Sequence, residues 1–133
     1  MNTLMKSKDD YLNIARIYAA KGNCKKRNYG CVIVLPNGEI VSAGSTRSMG
    51  NPCFKCKRRF SRKGHGYDKC PSIHAEQEAL VGISIPYGAT AFLFCIDDAN
   101  HAVDNPRPCP TCEKLLRFAG IKEVITLTEV IKL

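Results

Sequence analysis

The chain has 133 residues, of which 44% are hydrophobic and 24% charged, and its formal net charge is +8. This length fits one domain with its own core, because domains most often contain about 100–150 residues. The longest apolar runs, VIVL and ATAFLFCI, are too short to cross a bilayer, and the first residues lack the apolar segment of a signal peptide. We therefore expect a single domain over residues 1–133 and a cytoplasmic location.

The cysteine content indicates metal binding. Eight cysteines are present, and in a reducing compartment such a number favours metal ligation or buried thiols over disulfides. The pattern CxxC occurs twice, as CFKC and CPTC, which supports ligation.

Positive charge is concentrated in residues 55–69, where seven lysines and arginines stand against one aspartate, Asp68. Such a cluster suits an anionic partner. The alternative is a solvated loop whose charge serves solubility.

The N-terminal part predicts a helix followed by a β-hairpin. Apolar residues in the segment 9–20 recur at the i, i+3, i+4 spacing of an amphipathic helix, and Gly22 is a plausible stop. Two β-branched runs then flank Pro36, Asn37 and Gly38, and glycine suits the positive φ that such a turn needs.

The rest of the chain alternates between helices and strands. Residues 45–72 form a Cys-rich basic insert with little periodicity and few apolar groups, so another factor must order them. Alternation beyond the insert implies crossover connections and a partly parallel sheet covered by helices. The predicted elements are helices at 74–81 and 109–119 and strands at 89–96 and 123–128, with a possible edge strand at 128–133.

Two predicted helix starts carry the chemistry. PSIHAEQEAL places His74 and Glu76 at one start, and RPCPTCEKLL places Cys109 and Cys112 three residues apart at the other. One imidazole nitrogen and two thiolates supply three ligands of a tetrahedral zinc and leave a fourth position for water, as catalytic zinc sites do. The sequence therefore predicts a catalytic zinc.

The carboxyl group of Glu76 is the candidate for handling the proton of that water. Two residues along an ideal helix point about 200° apart, so His74 and Glu76 can converge only if His74 lies at the helix terminus. The combination H-x-E with P-C-x-x-C is the signature of zinc deaminases. A competing hypothesis joins CFKC and CPTC into one structural zinc site, but residues 57–108 separate the two motifs and His74 and Glu76 stay unexplained.

The segments GNCKKRNYGCVIV, YDKCPSIHAEQEAL, GATAFLF and PCPTCEKLLRFAGIKEVI resemble the cytidine and deoxycytidylate deaminase superfamily over residues 11–126, and most closely its deoxycytidylate (dCMP) deaminase branch. The resemblance implies an α/β fold, a three-layer α/β/α sandwich around a mixed, roughly five-stranded sheet. It also implies that His74, Cys109 and Cys112 bind the catalytic zinc, whose bound hydroxide attacks the substrate, and that Glu76 shuttles the proton.

The resemblance further implies a second, structural zinc in the insert. This metal would order residues 45–72 without a core of their own; the alternative is that the thiols are ordinary ones. The candidate ligands are Cys53, Cys56 and Cys70, with His65 or Cys24 as the fourth. Cys31 and Cys95 lie within predicted strands and are expected in the core, and His101 is expected to be exposed.

Two departures from the family pattern bear on the substrate. The stretch GSTR at 44–47 has Thr46 where the family has an asparagine that contacts the substrate sugar. The connection CIDDANHAVDNPRPC is longer than the family's usual link, so we expect a loop that reshapes the mouth of the pocket.

The leading hypothesis is hydrolytic deamination of dCMP to dUMP, with Arg47, Arg58 and Arg59 as candidate phosphate contacts. A deaminase of RNA or single-stranded DNA is the alternative, because aromatic residues interleave with the basic ones and could stack bases. A free base or nucleoside is another possible substrate. A non-catalytic zinc scaffold is a further alternative, against which Glu76 argues. The resemblance suggests a homo-oligomer.

Overall fold

The structure is a computed structural model that describes residues 7–22, 27–48, 72–81, 88–104 and 106–133, with 47, 48 and 72 described by their backbone alone. Its helices and strands follow the predicted order, with the addition of two short antiparallel strands, Arg47–Ser48 and Ser72–Ile73, that the sequence did not predict. In chain order they are α1 (Lys8–Ala20), β1 (Arg27–Val34), β2 (Ile40–Ser45), β3 (Arg47–Ser48), β4 (Ser72–Ile73), α2 (Ala75–Leu80), β5 (Thr90–Asp97), α3 (Pro110–Phe118), β6 (Glu123–Ile125) and β7 (Val130–Lys132).

Five strands form one mixed sheet in the order β2-β1-β5-β6-β7. Strand β1 is antiparallel to both β2 and β5, β5 is parallel to β6, and β7 is antiparallel to β6. The predicted edge strand therefore exists as β7. The predicted strand at 123–128 was too long, because it ends at Ile125 and the Thr126 N–H and hydroxyl group both donate to the carbonyl of Glu129, which turns the chain.

Helices cover both faces of this sheet, which confirms the three-layer sandwich. On one face, α1 packs through Leu12 and Ala15 against Val32 of β1 and Phe94 of β5. The other face of the same strands packs against α2 and α3. The central strand β5 is buried at six consecutive positions, 91–96, as expected of a strand covered on both sides.

Helix α1 begins and ends where its sequence predicts. Ser7 caps it, because its hydroxyl accepts from the N–H of Asp10 and the carboxylate of Asp10 accepts from the N–H of Ser7. Its C-cap is Lys21, one residue before Gly22. The hairpin after it turns at Gly38, whose φ is 91°.

Two glycines let the helices approach the sheet. A β-carbon at Gly30 would collide with the carbonyl oxygen of Ala15 in α1, and one at Gly44 would collide with the carbonyl oxygen of Ala75 in α2. Ala79 of α2 is also close, with its nitrogen 2.7 Å from the position of a β-carbon on Gly44. The backbone of α2 therefore lies directly on β2, which fixes where this helix starts.

The connection after β5 begins as a short hairpin whose residues 98–102 are exposed. Asp97 accepts the N–H groups of Ala99 and His101 at 2.9 Å each, and Asn100 takes a positive φ of 66°. The Val103 N–H then donates to the carbonyl of Cys95 at 2.9 Å. In the part of the chain that the structure describes, no helix has the length and apolar character needed to cross a membrane.

Candidate metal centre and active site

His74 lies at the N-cap of α2, which meets the geometric condition for its convergence with Glu76. Its backbone is extended, with φ −74° and ψ 153°. The N–H of His74 donates to the side-chain oxygen of Gln77 at 2.9 Å, and its carbonyl accepts the N–H of Glu78 at 3.0 Å. The imidazole thus extends from a backbone position outside the helix. Its direction is therefore not set by the 100° rotation between successive helical residues, which would point His74 and Glu76 apart.

Cys109 holds the same position on α3. It is the N-cap, its backbone is extended, and Pro110 follows at the first helical position, where the missing N–H of proline has no cost. The sulfur of Cys109 accepts the N–H of Cys112 at 3.4 Å. A helix N-terminus favours a thiolate in this place, because the free N–H groups carry partial positive charge.

The two helix starts bring together three side chains that could hold a metal ion. The Nδ1 atom of His74 is 3.2 Å from Sγ of Cys112 and 3.6 Å from Sγ of Cys109. All three ligand atoms lie within 4.8 Å of one another. A tetrahedral zinc with ordinary bond lengths places nitrogen and sulfur ligands about 3.6 Å apart, so the donor set and its spacing fit zinc.

The two thiols differ in acidity because they share one negative charge. A hydrogen bond from the thiol of Cys112, with further help from His74, lowers the pKa of Cys109 to about 4. The same interaction with Cys109, together with burial, raises the pKa of Cys112. Cys109 is therefore the more acidic thiol of the pair in the metal-free protein, and a divalent cation would supply the charge that ionises Cys112 as well.

Glu76 is buried beside these ligands, with 3% of its surface exposed. Burial raises its pKa to about 7, against the opposing effect of its own backbone N–H and of His74. The neighbouring thiol of Cys112 also lowers the pKa of Glu76, and the charge of Glu76, after burial, contributes to the raised pKa of the Cys31 thiol. A carboxyl group in this range can both accept and release a proton near neutral pH.

The other predicted site residues have different outcomes. Thr46 is buried, and its hydroxyl accepts the N–H of Tyr29 at 2.9 Å. Arg47 lies in β3, where its backbone pairs with Ile73, the residue before His74. The candidates that fall outside the described residues are Cys24, Cys53, Cys56, Arg58, Arg59, His65 and Cys70.

Three residues that the sequence assigned to the core or to the surface lie where they were expected. Cys31 and Cys95 are buried in the core, as predicted. His101 is exposed over 79% of its side chain and lies 3.8 Å from the carboxylate of Asp97.

Two polar residues of α2 were not indicated by the motif. Gln77 binds the N–H of His74, and a glutamine three positions after an N-cap is a pattern that could have revealed it. Glu78 accepts the N–H of Ser45 at 3.0 Å from across the helix–sheet contact. No local spacing predicts this second interaction, because it joins residues 33 positions apart.

The chain is similar to known zinc-binding deaminases. The family model for the cytidine and deoxycytidylate deaminase zinc-binding region matches residues 5–128. The deoxycytidylate deaminase of Schizosaccharomyces pombe is 32% identical over 132 residues, which are 93% of this chain and 38% of that protein. That of Saccharomyces cerevisiae is 31% identical over 120 residues, 86% of this chain and 35% of that protein. The chain thus spans little more than a third of the length of these relatives.

Solved structures show the same fold. The dCMP deaminase of cyanophage S-TIM5, crystallised with dCMP and dUMP, superposes with a TM-score of 0.66 at 25% identity over 92% of this chain and 83% of that one. Cytidine deaminase from Mycobacterium tuberculosis gives a TM-score of 0.57 at 12% identity, with 96% and 91% covered, and supports the fold alone. The chain belongs to the cytidine and deoxycytidylate deaminase zinc-binding family.

Proposed function

We propose that residues 1–133 form one zinc-dependent deaminase domain that converts dCMP and water into dUMP and ammonia. The observation that carries this proposal is the convergence of His74, Cys109 and Cys112 within 4.8 Å, with the buried carboxyl group of Glu76 beside them. The identity of the curated relatives as deoxycytidylate deaminases, and the dCMP and dUMP in the cyanophage structure, support this substrate.

The metal would be held by Nδ1 of His74 and by the thiolates of Cys109 and Cys112. When bound, zinc supplies a Lewis acid that lowers the pKa of a water molecule toward about 7. The partial exposure of His74 and Cys109 leaves solvent access to the ligand cluster, and three protein ligands leave one position of a tetrahedral zinc open. The ligand set is therefore of the catalytic type rather than a closed structural one.

Glu76 would move the protons of the reaction. Its carboxylate accepts a proton from the attacking water and delivers it to N3 of the cytosine ring as the new C4–O bond forms. It then passes the second proton of that oxygen to the amino group, so that the C4–N bond breaks and ammonia leaves. The product keeps a C4 carbonyl, and Glu76 ends in its starting state.

The substrate would lie next to the strand pair β3–β4. Pairing of Arg47 with Ile73 brings residues 46 and 47 beside the segment that leads directly into His74. We propose Thr46 and Arg47 as contacts for the sugar and phosphate, with Arg58 and Arg59 of the basic insert as further phosphate contacts. Seven positive residues in 55–69 support an anionic substrate.

A second, structural zinc is also part of the proposal. Its ligands would be Cys53, Cys56 and Cys70 with His65 or Cys24, because Cys53, Cys56, His65 and Cys70 fall within residues 53–70 of the chain. A cytoplasmic location would keep these thiols reduced. We propose a homo-oligomer on the strength of the family resemblance.

The decisive experiment offers dCMP, CMP, deoxycytidine and cytosine to zinc-loaded protein and follows ammonia and product by chromatography, with Glu76→Ala as the control. We expect selective loss of the amino group from dCMP and none with the variant. Inert dCMP with zinc bound would contradict the proposal. Short single-stranded RNA and DNA are tested in parallel at several salt concentrations, because polymer binding weakens steeply with salt and nucleotide binding much less.

A further inference from the structure

We propose that Glu78 is a positioning residue that fixes residues 45–47 against the zinc-ligand end of α2. Its effect on substrate binding rests on the proposed function, whereas its effect on the backbone does not. Glu78 follows Glu76 by two positions and faces the sheet, because its Oε1 atom accepts the N–H of Ser45 at 3.0 Å. A carboxylate that accepts a backbone N–H makes a stronger hydrogen bond than a neutral acceptor.

Ser45 is the last residue of β2 and is held from both helix layers. Its side chain is fully buried, and its hydroxyl donates to the carbonyl of Tyr18 in α1 at 2.6 Å. Its N–H donates to Glu78 in α2. The end of β2 is therefore fixed by one contact on each face of the sheet, and Glu78 provides the contact on the face that carries the metal site.

The chain beyond Ser45 leads to the metal site. Thr46 exchanges two hydrogen bonds with the backbone of Tyr29, at 2.9 and 3.1 Å. Arg47 then pairs with Ile73, and His74 follows. A continuous series of contacts thus runs from Glu78 of α2 through residues 45–47 and Ile73 to His74, the N-cap of the same helix. The position of residues 45–47 relative to the candidate ligands depends on these contacts.

Other contacts hold α2 to the sheet without Glu78. The backbone of Ala75 lies directly on Gly44. The hydroxyl of Ser42 donates to the carbonyl of Ala79 at 2.6 Å. Loss of the Glu78 carboxylate should therefore leave the helix and its metal ligands in place and loosen the segment 45–47. A general packing role for Glu78 would instead predict that α2 loosens together with the segment 45–47.

The experiment uses the zinc-loaded full chain and the variants Glu78→Ala and Glu78→Gln. Glutamine keeps an oxygen that can accept the Ser45 N–H, and alanine does not. Glu123→Ala is the matched control, because Glu123 also accepts one hydrogen bond at 3.0 Å, from Lys132, at the far edge of the sheet. The readouts are amide hydrogen exchange by peptide, zinc content, and KM and kcat for dCMP.

For Glu78→Ala we expect amide exchange at residues 45–47 to become about tenfold faster. This factor is what the loss of one hydrogen bond to a charged group would cause. Zinc content and exchange in α2 should stay at the wild-type level. KM for dCMP should rise about tenfold, also in line with that hydrogen bond, while kcat changes by less than about twofold. Glu123→Ala should resemble the wild type. Glu78→Gln should fall between the wild type and Glu78→Ala, because its amide oxygen still accepts the Ser45 N–H but makes a weaker hydrogen bond than a carboxylate.

Unchanged exchange at 45–47, an equal rise in exchange throughout α2, loss of zinc, or a glutamine variant that behaves like alanine would each overturn the positioning role. If the wild-type protein leaves dCMP untouched while exchange and zinc content respond as expected, the proposed substrate is wrong and the positioning of 45–47 by Glu78 stands.

Discussion

The Nδ1 atom of His74 lies 3.2 Å from the sulfur of Cys112, although 38 positions separate the two residues. The two side chains meet because α2 and α3 both begin at the same end of the sheet, each with a candidate metal ligand at its N-cap. The ligand atoms are already spaced for a tetrahedral ion. Metal binding should therefore need little rearrangement of the described backbone.

Removal of a ligand should release the catalytic zinc. His74→Ala or Cys112→Ser leaves two protein ligands of the predicted set, so the bound zinc per chain should fall by about one equivalent relative to the wild type. Atomic absorption after dialysis measures this loss. Cys95→Ala is the control, because Cys95 is buried in β5 and is absent from the ligand cluster. A His74→Ala protein that keeps all its zinc would contradict the assignment.

The stability of the metal-free protein should depend on pH through Glu76. Its pKa is about 7 in the folded protein and 4.5 as the ordinary value. A carboxyl group with a raised pKa stabilises the fold fully below its unfolded pKa, and this contribution is lost as the pH rises through the folded pKa. Between about pH 4.5 and pH 7, the free energy of unfolding should therefore fall by up to about 3 kcal/mol from this group.

Glu76→Gln separates this effect from other titrations, because glutamine is uncharged and of similar shape. Urea unfolding of both metal-free proteins should show the variant gaining stability relative to the wild type as the pH rises from about 5 to about 8. A difference that stays constant over this range would show that burial does not raise the pKa of Glu76.

Cys109 should be the reactive thiol of the pair when zinc is absent. Its pKa is lowered to about 4 by the hydrogen bond from Cys112, and it is half-buried, whereas Cys112 is buried and its pKa is raised. Iodoacetamide at neutral pH should therefore modify Cys109 well before Cys112 or Cys31, as peptide mass spectrometry would show. Zinc should protect Cys109, and equal modification with and without zinc would argue against ligation.

Gly44 should be required for the placement of α2. A β-carbon at this position collides with the carbonyl of Ala75, and such overpacking costs about 1–3 kcal/mol of the free energy of unfolding. Gly30→Ala is the matched comparison, because its β-carbon collides with Ala15 in α1. Both variants should lose stability in urea, but only Gly44→Ala should also weaken zinc binding in a chelator competition. Equal zinc affinity in the two variants would show that the placement of α2 on β2 does not affect the metal site.

Local sequence patterns predicted most of the elements and the candidate metal ligands. The i, i+3, i+4 spacing in 9–20 predicted α1, the residues around Gly38 predicted the hairpin, and the motifs HAE and PCPTC predicted the metal ligands. These features depend on neighbours within a few positions of the chain, where backbone geometry alone fixes which side chains share a face. The required place of His74 at a helix terminus followed from the same geometry.

The tertiary structure decided the relationships between distant segments. The raised pKa of Glu76 depends on its burial in the folded protein. The contact of Gly44 with Ala75 depends on the packing of α2 on β2, and the hydrogen bond between Glu78 and Ser45 joins residues 33 positions apart. The sequence predicted a long loop after β5 that reshapes the mouth of the pocket, whereas its fold back on Cys95 through a backbone hydrogen bond is seen only in the structure. Such contacts form only when the sheet brings the segments together, because the sequence around one partner does not identify the other.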